Sequence, residues 1–181
     1  MLSGIEIIFT ILLVVVPAYA ANGMALLFGG GKPLDGGKKF VDGKRILGDG
    51  KTVRGTISGI IAGAVLSIIV AFLYVFAVAD SGFILGYICL GFSSGIGAVI
   101  GDLTGSFIKR RIGLPPGFPA PLIDQFDFIL MALLFFYLTD SLLGLVELDL
   151  LVILVVLVVT PFAHVIGNLI VYRTGRKSHP W

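Results

Sequence analysis

"LIDQFDFILMALLFF", residues 122–136, sets two carboxylates, Asp124 and Asp127, against a run that reads as the inside of a membrane. The next charge after Asp127 is Asp140, so the uncharged segment 128–139 has 12 residues. At about 1.5 Å per residue a helix of that length covers roughly 18 Å. The hydrocarbon core of a bilayer is about 30 Å thick. If the segment belongs to a spanning helix, Asp127 lies below the membrane surface with Asp124 beside it. Acids at that depth are rare and mark function by default.

The rest of the chain fits a membrane. Of its 181 residues 57% are hydrophobic and only 13% charged, with a mean hydropathy of +1.06. A soluble domain of this length needs more polar surface. The fold class expected is an all-α integral membrane protein forming one domain over 1–181, because lipid satisfies no backbone groups and spans must be helices. The single cysteine, Cys89, sits in an apolar run and is expected to be a small buried hydrophobe. The N-terminal run has no Lys or Arg ahead of it and carries Glu6, unlike a signal peptide, and is read as a retained first span.

Five spans are expected: 7–28, with Pro17 and Asn22 inside it; 56–79, without a charge; the Gly-rich 83–100; 122–144; and 150–172, with Pro161, His164 and Asn168. Gly59, Gly63, Gly91, Gly95 and Gly97 would let helices approach closely. With five spans, segments 29–55 and 101–121 and the C-terminal tail share one side, and together they hold all 13 Lys and Arg of the chain. The positive-inside rule puts that side in the cytoplasm and the N-terminus outside, with the site on the cytoplasmic face of the cell membrane. The opposite face holds only acids: Glu6, Asp80, Asp140, Glu147 and Asp149.

Topology alone does not require the texture of segment 29–55, where glycines at 31, 36, 37, 43, 48, 50 and 55 are threaded between cations. Glycines expose backbone N–H groups and, with lysines, suit phosphate oxygens. Three carboxylates lie near the cytoplasmic ends of spans: Asp102, Asp124 and Asp127. Asp124 and Asp127 share a helix face. Three oxygen donors at one depth suit a hard cation such as Mg2+, which binds through a few carboxylates plus substrate phosphates; the alternative is a pair of Asp at a helix N-terminus, favoured by its dipole. If the third helix continues past the membrane, Asp102, Ser106 and Lys109 fall along one side, and Lys109, Arg110 and Arg111 could neutralise a polyphosphate. "GLPPGFPAP", 113–121, reads as a stiff turn into the fourth helix. "GDGKT", 48–52, is not a P-loop, since Arg45 stands where its first glycine would fall. His164 and Asn168, one turn apart, read as an interhelical hydrogen-bond contact.

"GDLTGSFIKRRIGLPPGFPAPLIDQFDF", 101–128, resembles the signature of the archaeal CDP-archaeol synthases, the CTP:2,3-di-O-geranylgeranyl-glycero-1-phosphate cytidylyltransferases. These are similar to CDP-diacylglycerol synthases, whose signature also joins a Lys/Arg cluster to a D-x-x-D pair. Matches extend to Asn22, Pro33, Asp35, Gly50, Lys51, Thr52, Arg54 and Gly55, and to His164, Asn168, Lys177, Pro180 and Trp181; Val53, where an aromatic is expected, departs from the pattern. The resemblance implies a catalytic domain that joins CTP to an isoprenoid ether lipid phosphate, with Mg2+, giving CDP-archaeol and pyrophosphate. It implies Asp102, Asp124 and Asp127 as metal ligands. Lys51, Arg54, Lys109, Arg110 and Arg111 would steady phosphates. Asn22, Asp35, Thr52, Ser106 and Gln125 would bind substrate. Its partners would be CTP, the lipid and the bilayer, without nucleic acid, and a homo-oligomer stays open. A CDP-alcohol phosphotransferase would show D-G-x-x-A-R and D-x-x-x-D, whereas "DGKR", 42–45, lacks the alanine and the acids are spaced D-x-x-D. A UbiA-type prenyltransferase needs two aspartate-rich motifs. A transporter would favour polar or charged residues near the bilayer middle and often a repeat; the second span has no charge and no repeat is evident.

Overall fold

The structure, a computed structural model, describes residues 4–78, 83–146, 148–173 and 175. Five helices account for most of them: α1 (Gly4–Leu27), α2 (Val53–Val78), α3 (Ile84–Arg111), α4 (Pro121–Leu143) and α5 (Leu150–Arg173). Each is long and apolar enough to cross a membrane. The five expected spans are therefore present, most of them within a few residues of their expected ends. Asp80, Glu147, Arg176, Lys177, Pro180 and Trp181 fall outside the described residues.

The third span differs. It runs to Arg111 instead of stopping at 100, so only 112–120 of the expected loop 101–121 is non-helical. Polar residues after Gly101 do not break a helix; Gly113 (φ 87°) and the prolines beyond it do. Lys109, Arg110 and Arg111 fill the last turn, where cations complement the helix dipole. Similarly α2 starts at Val53, capped by Thr52, whose Oγ1 accepts the Gly55 N–H at 3.2 Å.

Helix α3 is the centre of the molecule, with buried residues along its length from Gly86 to Arg110. Two glycine rows make this possible. Gly91 and Gly95 face α1 and α2: a methyl on Gly95 would lie 3.1 Å from the Gly63 Cα, and one on Gly91 2.8 Å from the Ser67 Cβ. Gly97, Gly101 and Gly105, spaced by four, face α4, where added methyls would collide with Met131, Asp127 and Phe128. Such rows let backbones touch, the form of packing that dispersion and not water drives inside lipid. Beside Pro17 of α1, which lacks an N–H for its own helix, the Ser94 hydroxyl of α3 donates to the Val14 carbonyl at 2.6 Å. Helix α5 leans on this bundle, with Tyr19 and Thr160 hydroxyls 2.8 Å apart.

Cys89 is exposed on α3 and not buried as expected. Among lipids an apolar residue gains nothing by turning inward, so burial cannot be read from hydrophobicity there. At the acidic end, Asp140 closes α4 by accepting the N–H groups of Leu145 and Val146, each at 3.1 Å.

Candidate active site

At the basic end a cavity of about 260 Å³ opens between the helices, loop 28–52 and the loop before α4. Each wall has a local cause. Thr52 ends the loop as the α2 cap and brings Lys51 to the mouth. The extension of α3 puts Asp102, Ser106, Lys109 and Arg110 along one side, and α4 opens with Asp124. Asn22 comes from α1, and His164 and Asn168 from α5.

Its charges are mostly paired. The Lys51 ammonium lies 2.6 Å from both Oδ atoms of Asp102. Lys109 is hydrogen-bonded to Oδ1 of Asp124, whose Oδ2 accepts the Ala120 N–H at 3.0 Å. Arg110 is the exception. It is only 6% exposed, and its Nε and Nη1 have no hydrogen-bond partner among the described residues. A buried guanidinium with idle donors costs stability unless something accepts from it.

Other expected site residues do not line the cavity. Asp127 is turned against Gly105 of α3, with Oδ1 accepting the Phe128 N–H at 2.6 Å; Asp102, Lys51 and Lys109 stand within electrostatic range of it. Arg54 donates to the carbonyls of Phe28 and Gly29 at 2.8 and 2.7 Å, closing the end of α1. Arg111 points away, between the rings of Phe40 and Phe107 at 4.9 and 4.8 Å, and is bonded to Asp42 at 2.6 Å. Gln125 is half-buried outside the lining.

Asp35 is not brought to the cavity either, because the loop uses all of its acceptors. Its carboxylate takes the N–H groups of Gly37, Leu47 and Gly48, each at 3.0 Å, and the Arg45 guanidinium at 2.8 Å. Arg45, foremost, and then these N–H groups hold its acid well below the usual carboxylate range against the opposing effect of burial. Asp35 organises the loop and has no oxygen left for a nucleotide.

Among the described residues no three His, Cys, Asp or Glu side chains are gathered into a chelating cluster. The donors still fit a hard cation in kind: three carboxylates on the facing helices α3 and α4, two of which already hold an ammonium.

A second cavity, about 470 Å³ and almost wholly apolar, lies between α1, α5 and Phe128. It meets the first at Asn22, Leu26, His164 and Asn168, which line both. His164 and Asn168 bond within their own helix, at 3.3 Å, and His164 stacks on Phe128. Sequence reasoning missed this boundary role. It also took 116–119 for a mere turn, whereas Pro116, Gly117, Phe118 and Pro119 line the polar cavity. Gly105 was missed too, although its spacing of four from Gly101 was a usable signal.

A family model described as CarS-like, CDP-archaeol synthase, matches residues 4–181. The CDP-archaeol synthase of Methanocaldococcus jannaschii is 40% identical over 180 residues, 97% of this chain and 98% of that one. That of Thermococcus kodakarensis is 43% identical over 167 residues, 92% of each. A solved structure of an intramembrane enzyme for archaeal membrane lipid biosynthesis superposes with a TM-score of 0.67 at 33% identity, covering 87% of this chain and 91% of that one.

Proposed function

The chain belongs to the CDP-archaeol synthase family, and from that premise we propose that its two adjoining cavities bring CTP and an isoprenoid ether lipid phosphate together. It is a multi-pass membrane cytidylyltransferase of ether lipid biosynthesis. The carrying observation is the juxtaposition: a cavity lined by Lys51, Lys109 and Arg110 meets an apolar one at Asn22, His164 and Asn168. One substrate is an anion from water and the other an anion on apolar chains. The chains lie between α1 and α5, and the lipid phosphate reaches the polar cavity past Asn22, His164 and Asn168.

An oxygen of the lipid phosphate attacks the α-phosphorus of CTP, and the bond to the β-phosphate oxygen breaks, releasing pyrophosphate. The protein supplies position and charge, as in other phosphoryl-type transfers. Arg110, on the cavity wall, donates N–H groups to phosphate oxygens. Lys51 and Lys109 steady the triphosphate. Thr52 and Ser106, buried on the wall, offer hydroxyls to the nucleotide, and Asn22 an amide. A divalent cation, Mg2+ by the hardness of the donors, would neutralise developing phosphate charge as a Lewis acid, held by Asp102, Asp124 and Asp127. Arg54 and Arg111 act at a distance by fixing the loop. The whole chain works as one catalytic domain.

The basic end faces the cytoplasm, where CTP is. A cysteine at position 43, in a chain with Cys89 replaced by alanine, is labelled by an impermeant thiol reagent only from that side.

The test is pyrophosphate release by purified protein in detergent with Mg2+, a geranylgeranylated glycerol-1-phosphate lipid, and CTP, ATP, GTP or UTP. The expected result is release that needs both CTP and lipid, with a CDP-lipid seen by mass. No release from protein shown to be folded overturns the reading.

A further inference from the structure

Lys51 and Lys109 stand where two roles conflict. Each lines the cavity that takes the triphosphate, yet each neutralises a carboxylate assigned to the metal. Both oxygens of Asp102 face Lys51 at 2.6 Å. Asp124 gives one oxygen to Lys109 and the other to a backbone N–H. A divalent ion at Asp102 competes with the charge of an ammonium that already bridges both oxygens, and a triphosphate at Lys51 competes with the carboxylate that holds it. Among the described residues, Nε and Nη1 of Arg110, the third cation of the cavity, have no hydrogen-bond partner.

We propose that Lys51 and Lys109 are exchangeable counter-cations: they hold Asp102 and Asp124 in the free protein and pass to phosphate oxygens as the triphosphate enters, so that divalent cation and nucleotide bind as a coupled pair. This rests on the reading of the site given above. Charges here must balance in a partly enclosed space, since the Lys51 and Asp102 side chains are only 25% and 22% exposed. Metal alone must displace an ammonium and leave it without a counter-ion. Triphosphate alone must strip Asp102 and leave a bare carboxylate beside phosphates. Each solitary binding leaves an uncompensated charge, which low-polarity surroundings penalise. When both bind, each lysine exchanges a carboxylate for a phosphate, each carboxylate exchanges a lysine for the metal, and nothing is left unpaired. Coupling of this kind is reciprocal. A purely structural ion pair predicts the opposite on mutation: breaking it weakens or leaves unchanged the binding of each ligand alone.

The experiment uses the whole protein in detergent and each probe by itself: Mn2+ without nucleotide, followed by electron paramagnetic resonance, and CTP in excess EDTA, followed by calorimetry. Lys51→Gln is expected to bind Mn2+ about tenfold more tightly than the wild type, within the usual span of coupling between sites. Asp102→Asn is expected to bind metal-free CTP about tenfold more tightly, and this gain disappears in the Lys51→Gln/Asp102→Asn double variant. Unchanged or weaker Mn2+ binding by Lys51→Gln overturns the proposal. So does a CTP gain that persists in the double variant, which would be general electrostatics. If, in the Lys51→Gln background, Asp102→Asn leaves Mn2+ affinity untouched, Asp102 is no ligand, and the site reading falls before the coupling does. Thermal melts check folding. Should Lys51→Gln not fold, the Lys109→Gln and Asp124→Asn cycle carries the same expectations. Failure of both lysine variants to fold assigns the pairs to structure and overturns the proposal.

Discussion

Asp127 is turned against α3, and the reason is a missing side chain on the neighbouring helix. Its carboxylate fills the space a methyl would occupy on Gly105, while its backbone carbonyl does the same at Gly101. The two glycines therefore set both the spacing of α3 and α4 and the aim of one acid. Gly105→Ala is expected to push the carboxylate aside and to cost about 1–3 kcal/mol, the usual range for overpacking. Turnover should fall at least tenfold, out of proportion to the drop in melting temperature in detergent. Asp127→Asn, which keeps the shape, should melt within a few degrees of the wild type; if Asp127 holds the cation, turnover falls by orders of magnitude, because a ligand charge is gone. Near-normal turnover by purified Asp127→Asn would remove Asp127 from the site.

Loop 28–52 carries no helix, so its shape depends on what its side chains bond to. Asp35 gathers three backbone N–H groups and Arg45, and Gly48, at φ 101°, turns its N–H toward the carboxylate in a conformation few other residues adopt. The acid of Asp35 is lowered on folding. Its contribution is therefore full above the pKa of the unfolded chain, about 3.9. It declines as pH falls below that toward the lower folded value. Hydrogen-exchange protection of the Leu47 and Gly48 amides, corrected for intrinsic rate, should hold from pH 7 to about 5 and drop below about 4. In Asp35→Asn the protection should be low already at pH 7 and lose this acid dependence. A wild-type profile in Asp35→Asn would deny Asp35 its role. This loop also shows where sequence reading stops. The helices were legible because a run of apolar residues must span lipid, and the cavity face of α3 followed from the spacing of 102, 106 and 109 once the helix was allowed to continue. The roles of Asp35, Arg54 and Arg111 were not legible, because each is decided by a partner distant in sequence. Arg110 and Arg111 are neighbours in "KRR", but a step of about 100° around a helix sends one into the cavity and the other outward to Phe40 and Asp42.

At the scale of the molecule the arrangement is a tight bundle of α1–α4 with α5 laid against it, and the apolar cavity runs along that seam. Few α5 residues are buried, Val152, Val156, Thr160, Asn168 and Val171, so much of the helix faces lipid. The seam is where a lipid can leave the bilayer sideways without drawing its chains through water. Gly23 of α1 and Gly167 of α5 line it from opposite walls, and a Cβ on either meets nothing within 4 Å. Larger side chains there enter the cavity without disturbing the packing, and replacing a mid-helix glycine favours the helix itself. If the seam holds the isoprenoid chains, Gly167→Phe displaces a few of their methyl and methylene groups. Their reference state is lipid or detergent and not water, so the cost is lost van der Waals contact, about 0.1–0.2 kcal/mol for each atom pair; about ten lost contacts make roughly 1–2 kcal/mol, or about tenfold. The expected result is a KM for the lipid phosphate raised by about that factor, with the KM for CTP unchanged, because no nucleotide contact is touched. Gly23→Leu should act in the same direction from the other wall. A short-chain lipid phosphate that does not reach the seam should be indifferent to both substitutions. Equal loss for long and short lipids would place the chains elsewhere and leave the seam a packing feature.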